Sequence, residues 1–440
     1  MDNVYFYTRK YGWEKPIIEY FQSHKLWNKV FVSKRFVEEE EFYQPKYIEK
    51  YIPKEIFDQL YTYLPQFIDM RSRTSALSEF DYEEYNYHDY LNLFSIYIDV
   101  YYNFYIKNEI SLLVMSRAPH LGFDLIAMSV AEALNIKILF LEQSHFPNRF
   151  FMYSSFRDFG DFSTSKIIVS SQPVKIEKKY EKELSYMEEE ELTPRQKYKQ
   201  FYANNPTIRM LSQLTHKAFR GQAIYRYDLK KKFAKNRVKY NQPINLKEKF
   251  VYFGLHLQPE QTTSAWGGKY VDQLLALERL SKFIPEDVKI YVKENPKQTY
   301  VMRGELFYER LQRIKNVVLV PNDSNTYDLI KNCLFVSTIS GTMGWEAITG
   351  GKNVLIFGWG VWYKTLPGVF YFDDEPDYEE LLTHKINHTQ LEKEVTQLKS
   401  KTGKGIVFPI KYYFDLVPNY TKEKNTENIA SSIKKYLYDD

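Results

Sequence analysis

The chain reads as an α/β protein of two Rossmann-like domains facing a cleft, joined by a helical connecting region. Three observations predict this. The 440 residues suit two or three domains at roughly 100–200 residues each. Residues 111–141 run strand, turn, helix, strand, the βαβ unit from which parallel sheets are built. Residues 250–357 then alternate five short apolar strands with helices, the pattern of a doubly wound sheet.

In the N-terminal half, Val4–Tyr7 and Lys29–Ser33 read as short strands. Residues 49–95 are polar and Tyr-rich, with helical stretches. Ser111–Met115 reads as a buried strand, Pro119–Gly122 as a turn, and Ile136–Leu141 as a second strand. Between them Leu125, Met128, Ala131 and Leu134 share one helical face. From about Lys175 to Lys249 charge runs replace strand patterns, and the segment reads as helices between domains. In the C-terminal half the strands are Phe250–Phe253, Val288–Val292, Val317–Val320, Leu334–Ser337 and Val354–Phe357. Helices fall at Tyr270–Phe283, Leu306–Ile314, Thr326–Lys331 and Met343–Thr349. The expected boundaries are 1–172 for an N-terminal acceptor-side domain and 173–247 for the connecting region. The C-terminal Rossmann-like domain takes 248–385, and a helical segment at 386–440 packs back on the N-terminal domain.

Composition excludes several classes. A hydrophobic fraction of 44% and a charged fraction of 26% are ordinary for a globular chain. The single cysteine, Cys333, allows no internal disulfide and no Cys-based zinc site. A net charge of +4 demands no polyanionic partner, and no nucleic acid is expected. The 39 Tyr and 31 Phe are spread along the whole chain, so aromatic packing is favoured over a dedicated stacking groove. No stretch approaches the roughly 18–20 apolar residues of a membrane span, and no secretory signal is visible. The expectation is a cytoplasmic protein. Arg226–Lys239 carries seven basic residues, which read either as a solvated helix face or as a peripheral contact with the inner membrane. Neither a G-x-G-x-x-G fingerprint nor a P-loop follows any strand.

Ligands of open parallel sheets sit outside the carboxyl ends of the strands, and the candidate residues cluster there. Ser340-Gly341-Thr342-Met343-Gly344-Trp345-Glu346 runs from a strand through a small-residue turn into a helix. Gly341 and Gly344 permit close backbone approach. Ser340 or Thr342 can cap the helix, whose N–H groups then face either an anion or nothing beyond the cap. Glu346, one turn in, can accept from a ribose diol or be structural. Lys293-Glu294-Asn295-Pro296 places a cation and a hydrogen-bonding amide at another strand end. Leu255–Glu260 offers His256, a phosphate ligand, an acid/base or a structural residue, and Glu260, its partner or an acceptor-facing group. Phe357–Tyr363, containing Gly358, is a glycine-rich aromatic loop that holds a base or sugar by stacking, or simply packs. In the N-terminal half, Asp124 and Glu142 follow strands and can supply a general base or a nucleophilic carboxylate. Asp124 can equally stabilise a helix start.

Taken together, these segments resemble the bacterial capsule polysaccharide biosynthesis/export family, which includes the Kdo transferases that build capsule lipid linkers. The residues that carry the resemblance are Leu255–Glu260, Asp272-Gln273, Val292–Pro296, Ser340–Ala347, Phe357-Gly358 and Leu366–Val369, in matching order and spacing. The resemblance implies a GT-B-like glycosyltransferase of capsule or other surface polysaccharide synthesis. It would use a nucleotide-sugar donor, CMP-linked Kdo or a related acid sugar, and a glycan or glycolipid acceptor. It implies that Lys293, Ser340, Gly341, Thr342 and Glu346 hold the nucleotide, with His256 and Glu260 beside the sugar-phosphate junction. No cofactor is expected, and the absence of Asp-x-Asp at a strand end points to metal-independent chemistry. Asn295 stands where the family pattern has His. It can hydrogen-bond but carries no charge, so His256 takes over, the donor differs, or activity is reduced. Two other readings share the frame: a non-catalytic nucleotide-sugar-binding or export-complex member, and a UDP-sugar epimerase.

Overall fold

The computed structural model describes residues 1–8, 13–33, 48, 50–77, 85–176, 222–258, 260–300, 302–408 and 417–439. The strands are β1 (Asp2–Tyr7), β2 (Trp27–Val32), β3 (Leu112–Met115), β4 (Lys137–Gln143) and β5 (Arg149–Tyr153), then β6 (Phe250–Gly254), β7 (Lys289–Lys293), β8 (Val317–Leu319), β9 (Val336–Thr338), β10 (Val354–Ile356), β11 (Val369–Tyr371) and β12 (Gly403–Lys404). The helices before the second sheet are α1 (Glu14–Ser23), α2 (Lys54–Tyr61), α3 (Leu64–Leu77), α4 (Tyr87–Lys107), α5 (Phe123–Ala133) and α6 (Gln222–Tyr240). The later helices are α7 (Gln261–Ser264), α8 (Gln273–Phe283), α9 (Glu305–Gln312), α10 (Thr326–Asn332), α11 (Thr342–Thr349), α12 (Tyr378–Thr383), α13 (His388–Ser400) and α14 (Lys422–Leu437).

Two six-stranded sheets form, in the orders β12-β5-β4-β3-β1-β2 and β11-β10-β9-β6-β7-β8. The second sheet is parallel at every pairing. Counted from β6, its order is that of a Rossmann domain, and the chain reverses direction across the sheet between β6 and β9. In the first sheet β1 to β4 are parallel and reverse between β1 and β3. β5 and β12 extend it antiparallel. The fold is therefore two Rossmann-like domains, as expected. β5, β11 and β12 are additions to the strands expected from sequence. β5 (Arg-Phe-Phe-Met-Tyr) is buried on both faces, so it lacks the alternation that marks a half-exposed strand. β12 is two residues long and is recognised only through its partner.

Strand periodicity explains the layers. On the first sheet Val4, Phe6, Leu112, Val114, Leu139 and Leu141 pack with Ile17 and Phe21 of α1 and with Ile429 and Ile433 of α14. Their neighbours Tyr5, Tyr7, Leu113, Met115 and Phe140 face α2 to α5. The Tyr-rich stretch is that second layer. Tyr97, Tyr101 and Tyr105 are all buried on α4, and the Tyr105 hydroxyl donates to the Ala127 carbonyl at 2.9 Å. On the second sheet Val251, Phe253, Ile290, Val292 and Leu355 pack with α8 and α9. Tyr252, Val336 and Val354 face α10, α11 and α13.

Residues 177–221 of the expected connecting region lie outside the described residues. The helix α6, on their C-terminal side, packs on α9 of the second sheet, with Tyr240 stacked on Tyr308 at 5.7 Å. The exposed side chains of the basic stretch lie on this helix, at the β8 edge. Among the described residues no helix is long and apolar enough to cross a membrane.

Candidate active site at the strand ends

The second sheet reverses between β6 and β9, and the two strands end at His256 and at Thr338–Gly341. His256 joins them. Its Nε2 lies 2.8 Å from Thr338 Oγ1 and faces the backbone N–H groups of Ile339 and Ser340 at 3.3 and 3.4 Å. Both N–H groups donate, so Nε2 is the acceptor nitrogen and the Thr338 hydroxyl donates to it. Thr338 Oγ1 in turn accepts from Gly341 N–H at 3.2 Å. Burial first, and the Arg303 charge second, hold the imidazole down at about 4, so it is neutral at pH 7. His256 is thus a clamp on the β9 turn. The acid/base role weighed for it gives way, because its acceptor nitrogen is occupied by the protein itself.

The clamp is supported from behind. Gln273 Oε1 accepts from His256 N–H at 2.8 Å, and Gln273 Nε2 donates to the His256 carbonyl at 3.2 Å. Arg303, 1% exposed, donates to the same carbonyl at 3.2 Å, to Gln258 Oε1 at 3.1 Å, and to Glu294 Oε2 at 2.9 Å. One buried guanidinium therefore ties the β6 end to the β7 end. Arg303 sits in a loop without periodicity, and only the acidic partner in Lys293-Glu294-Asn295 hints at it.

The turn into α11 is built from close approaches. Neither Ser340 nor Thr342 caps the helix. Gly341 is the N-cap residue and no side chain caps it, because the Ser340 hydroxyl donates to the Thr262 carbonyl instead. The Tyr363 hydroxyl donates to the Gly341 carbonyl. A Cβ on Gly344 would stand 2.2 Å from that hydroxyl. At Gly358 a Cβ would stand 2.8 Å from the Trp266 carbonyl, and the Gly358 N–H donates to the Ile339 carbonyl at 2.8 Å.

Around Glu346 of α11 lies a polar group spanning four elements. Lys293 Nζ donates to Ser324 O at 2.6 Å and to Thr326 Oγ1 at 2.8 Å. Burial lowers its pKa, against the pull of Asp323. Burial raises the Tyr252 and Tyr327 hydroxyls, with Glu346 adding to both, and brings Tyr327 to about 12. Glu346 is half-buried in this group. Asn295 stands apart: its Oδ1 accepts from Lys297 N–H at 2.9 Å, fixing the turn at exposed Pro296.

From the first sheet, Asp124 is 1% exposed and accepts from His120, Leu121 and Leu125 N–H groups at 2.8 to 2.9 Å. It organises the loop after β3 and opens α5. The general-base reading gives way here to the helix-start reading. Glu142 grips the same loop through Ala118 N–H at 2.9 Å and also reaches the other domain, accepting from Gln261 Nε2 at 3.3 Å. Gln261 Oε1 accepts from Arg117 at 3.1 Å. Burial pushes the Glu142 carboxyl up, and the Ala118 hydrogen bond, the Arg117 charge and the Gln261 hydrogen bond pull it back. Glu260, adjacent to Gln261, is the N-cap residue of α7. Glu142 therefore reaches the other domain through Gln261, the residue that follows Glu260.

The aromatic loop after β10 packs against the first domain. Trp359 lies against Phe156 at 6.0 Å and under Arg157 at 5.6 Å. Trp266 stacks on Phe159 at 4.8 Å, and Trp362 lies 4.9 Å from Trp345. The indole N–H groups of Trp266, Trp359 and Trp362, with the Tyr153 hydroxyl, are buried with no acceptor among the described residues. Among the described residues no three His, Cys, Asp or Glu side chains are grouped to hold a metal ion.

Known proteins resemble the chain at low identity. Of the solved structures, the chain is similar to the β-Kdo 2,7 transferase KpsC of Thermosulfurimonas dismutans, with 10% identity over 94% of this chain and 99% of that one, TM-score 0.34. It is similar to the β-Kdo 2,4 transferase KpsC of the same organism, with 13% identity over 70% and 88%, TM-score 0.31. A UDP-GlcNAc 2-epimerase of Methanocaldococcus jannaschii matches with 11% identity over 90% and 98%, TM-score 0.24. No curated protein matches the chain in sequence. The family model for capsule polysaccharide biosynthesis proteins matches residues 168–409, from the loop before α6 through the strand-end site to β12. That is more than half of the chain, which belongs to this family.

Proposed function

We propose that the chain is a GT-B glycosyltransferase of capsule or related surface polysaccharide synthesis. It transfers a sugar from a nucleotide-activated donor to a glycan or glycolipid acceptor. The observation that carries this reading is the uncapped start of α11 where the sheet reverses, with Glu346 on the same helix and Lys293 at the carboxyl end of β7. The first N–H groups of the helix and the cation receive the donor phosphate. They stabilise the charge that develops on it as the glycosidic bond breaks. Glu346 accepts from the ribose hydroxyls. Glu142, with its raised pKa, takes the acceptor proton. His256 and Arg303 are positioning residues that hold the turn. The donor is read as CMP-linked, carrying Kdo or a related acid sugar. Asn295, with no charge to offer, leaves the phosphate to Lys293.

Thermal unfolding with CMP, UDP, GDP, TDP, ADP and CMP-Kdo tests the reading. A ligand at about a hundred times its Kd adds about 2.7 kcal/mol of stability. Stabilisation by CMP and CMP-Kdo, lost in Lys293→Met and Glu346→Gln, is the expected result. Stabilisation by a nucleoside diphosphate alone replaces the donor and keeps the transferase. No stabilisation by any nucleotide overturns the site. Product formation with a glycolipid acceptor, unchanged by EDTA, separates a metal-independent transferase from a non-catalytic binder.

A further inference from the structure

Away from the strand-end site, a cavity of about 490 Å³ opens between α8 and the segment after β11. Its floor is aromatic. Phe372 stacks on Phe357 at 4.6 Å, and Phe283 meets Phe372 edge-on at 5.9 Å, so these rings are held in place. Its rim is cationic, with Lys269, Arg279 and Lys282. Lys269 is paired, at 3.0 Å from Asp373, whose other oxygen accepts from the Tyr270 hydroxyl at 2.8 Å. Arg279 and Lys282 lie three residues apart on one face of α8 and are exposed. Neither forms an ion pair among the described residues.

We propose that this cavity binds a segment of an acidic, carboxylate-bearing saccharide chain. A carboxylate matches the Arg279 fork and the Lys282 point charge, and the apolar faces of sugar rings match Phe283 and Phe372. A bare inorganic anion would leave the aromatic floor unused, and a neutral glycan would leave the two cations unused. A lipid surface calls for a broader basic patch than two residues provide. The volume is that of a ligand pocket. At its Lys269 end the cavity comes close to the aromatic loop: Gly268, next to Lys269, lies so near the Trp359 ring that a Cβ there would stand 2.2 Å from it. Trp359 belongs to the seam between the domains. The identity of the saccharide as acceptor or product rests on the function proposed above. The binding itself does not.

Calorimetric titration of the full chain with tetragalacturonate, maltotetraose, inorganic phosphate and phosphatidylglycerol vesicles tests the site. Tetragalacturonate should bind saturably. Binding should weaken about tenfold or more in the Arg279→Ala/Lys282→Ala double variant, and in Lys282→Glu as a second variant, with the melting temperature unchanged. Equal binding in the variants, equal binding of maltotetraose, or cation-dependent binding of phosphate or vesicles without tetragalacturonate overturns the proposal. Nucleotide stabilisation is measured on the same variants and should not change. If nucleotides fail on the wild type while tetragalacturonate binds, the transferase reading alone falls.

Discussion

The two sheets end in opposite ways, although both reverse where a ligand would sit. After β3 the loop is held by two carboxylates, Asp124 from within it and Glu142 from the adjacent strand β4. Asp124 closes on residues 120, 121 and 125, within four positions of itself. After β6, β7 and β9 the loops are held by side chains from far along the chain. His256 reaches residues 338 to 340, and Arg303 reaches 256, 258 and 294. The first arrangement shapes one loop. The second locks three strand ends into one surface. The lesson is that both domains share an architecture while only one carries a preformed cradle.

Breaking the lock should have the largest effect. Arg303→Ala leaves the Glu294 carboxylate, 3% exposed, buried without its partner. Removing one member of such a pair costs about 3–5 kcal/mol. Urea unfolding should therefore show a loss of that size, partly restored by Glu294→Gln in the double variant. A loss below about 1 kcal/mol would mean that the strand ends are joined by packing alone, and the contrast between the two sheets would collapse.

The next effect is a pH dependence. The imidazole of His256 is held near 4 in the fold, against about 6.5 unfolded. Below 6.5 the unfolded chain takes up a proton that the fold refuses, so stability falls as pH drops. The contribution is fully present above pH 6.5 and declines toward pH 4, by about 3 kcal/mol. His256→Asn should flatten that part of the profile. An unchanged slope would place the ring in a wetter environment and weaken the clamp.

These effects also mark what a sequence can carry. The second sheet is legible strand by strand, because its short apolar runs are punctuated by helices of ordinary period. The strand-end positions of Lys293, Ser340, Gly341 and Glu346 follow from that. Their partners are not legible. Arg303, Thr338 and Tyr363 act through contacts that exist only once distant segments meet, and no spacing rule encodes them. The capping of α11 departs from the sequence expectation for a related reason: Ser340 has a competing acceptor, Thr262 O, 78 residues away in sequence. The aromatic excess is legible as packing but not as a seam, since Trp266, Trp359 and Trp362 find Phe159, Phe156 and Phe151 only through domain contact.

The smallest effect sharpens the comparison at the seam itself. Gln261 is a polar link between the sheets, accepting from Arg117 and donating to Glu142. All three are half-buried, so water replaces much of what Gln261→Ala removes, and the stability loss should be about 1 kcal/mol. The titration of Glu142 should respond more clearly. The Gln261 donor favours the ionised carboxylate and pulls its pKa down against burial. Without it the pKa rises further, and the acid limb of a turnover profile moves to higher pH. A change in stability without that movement would make Gln261 a strut between domains. Movement without a change in stability would tie the seam to proton transfer and leave the aromatic contacts to hold the domains together.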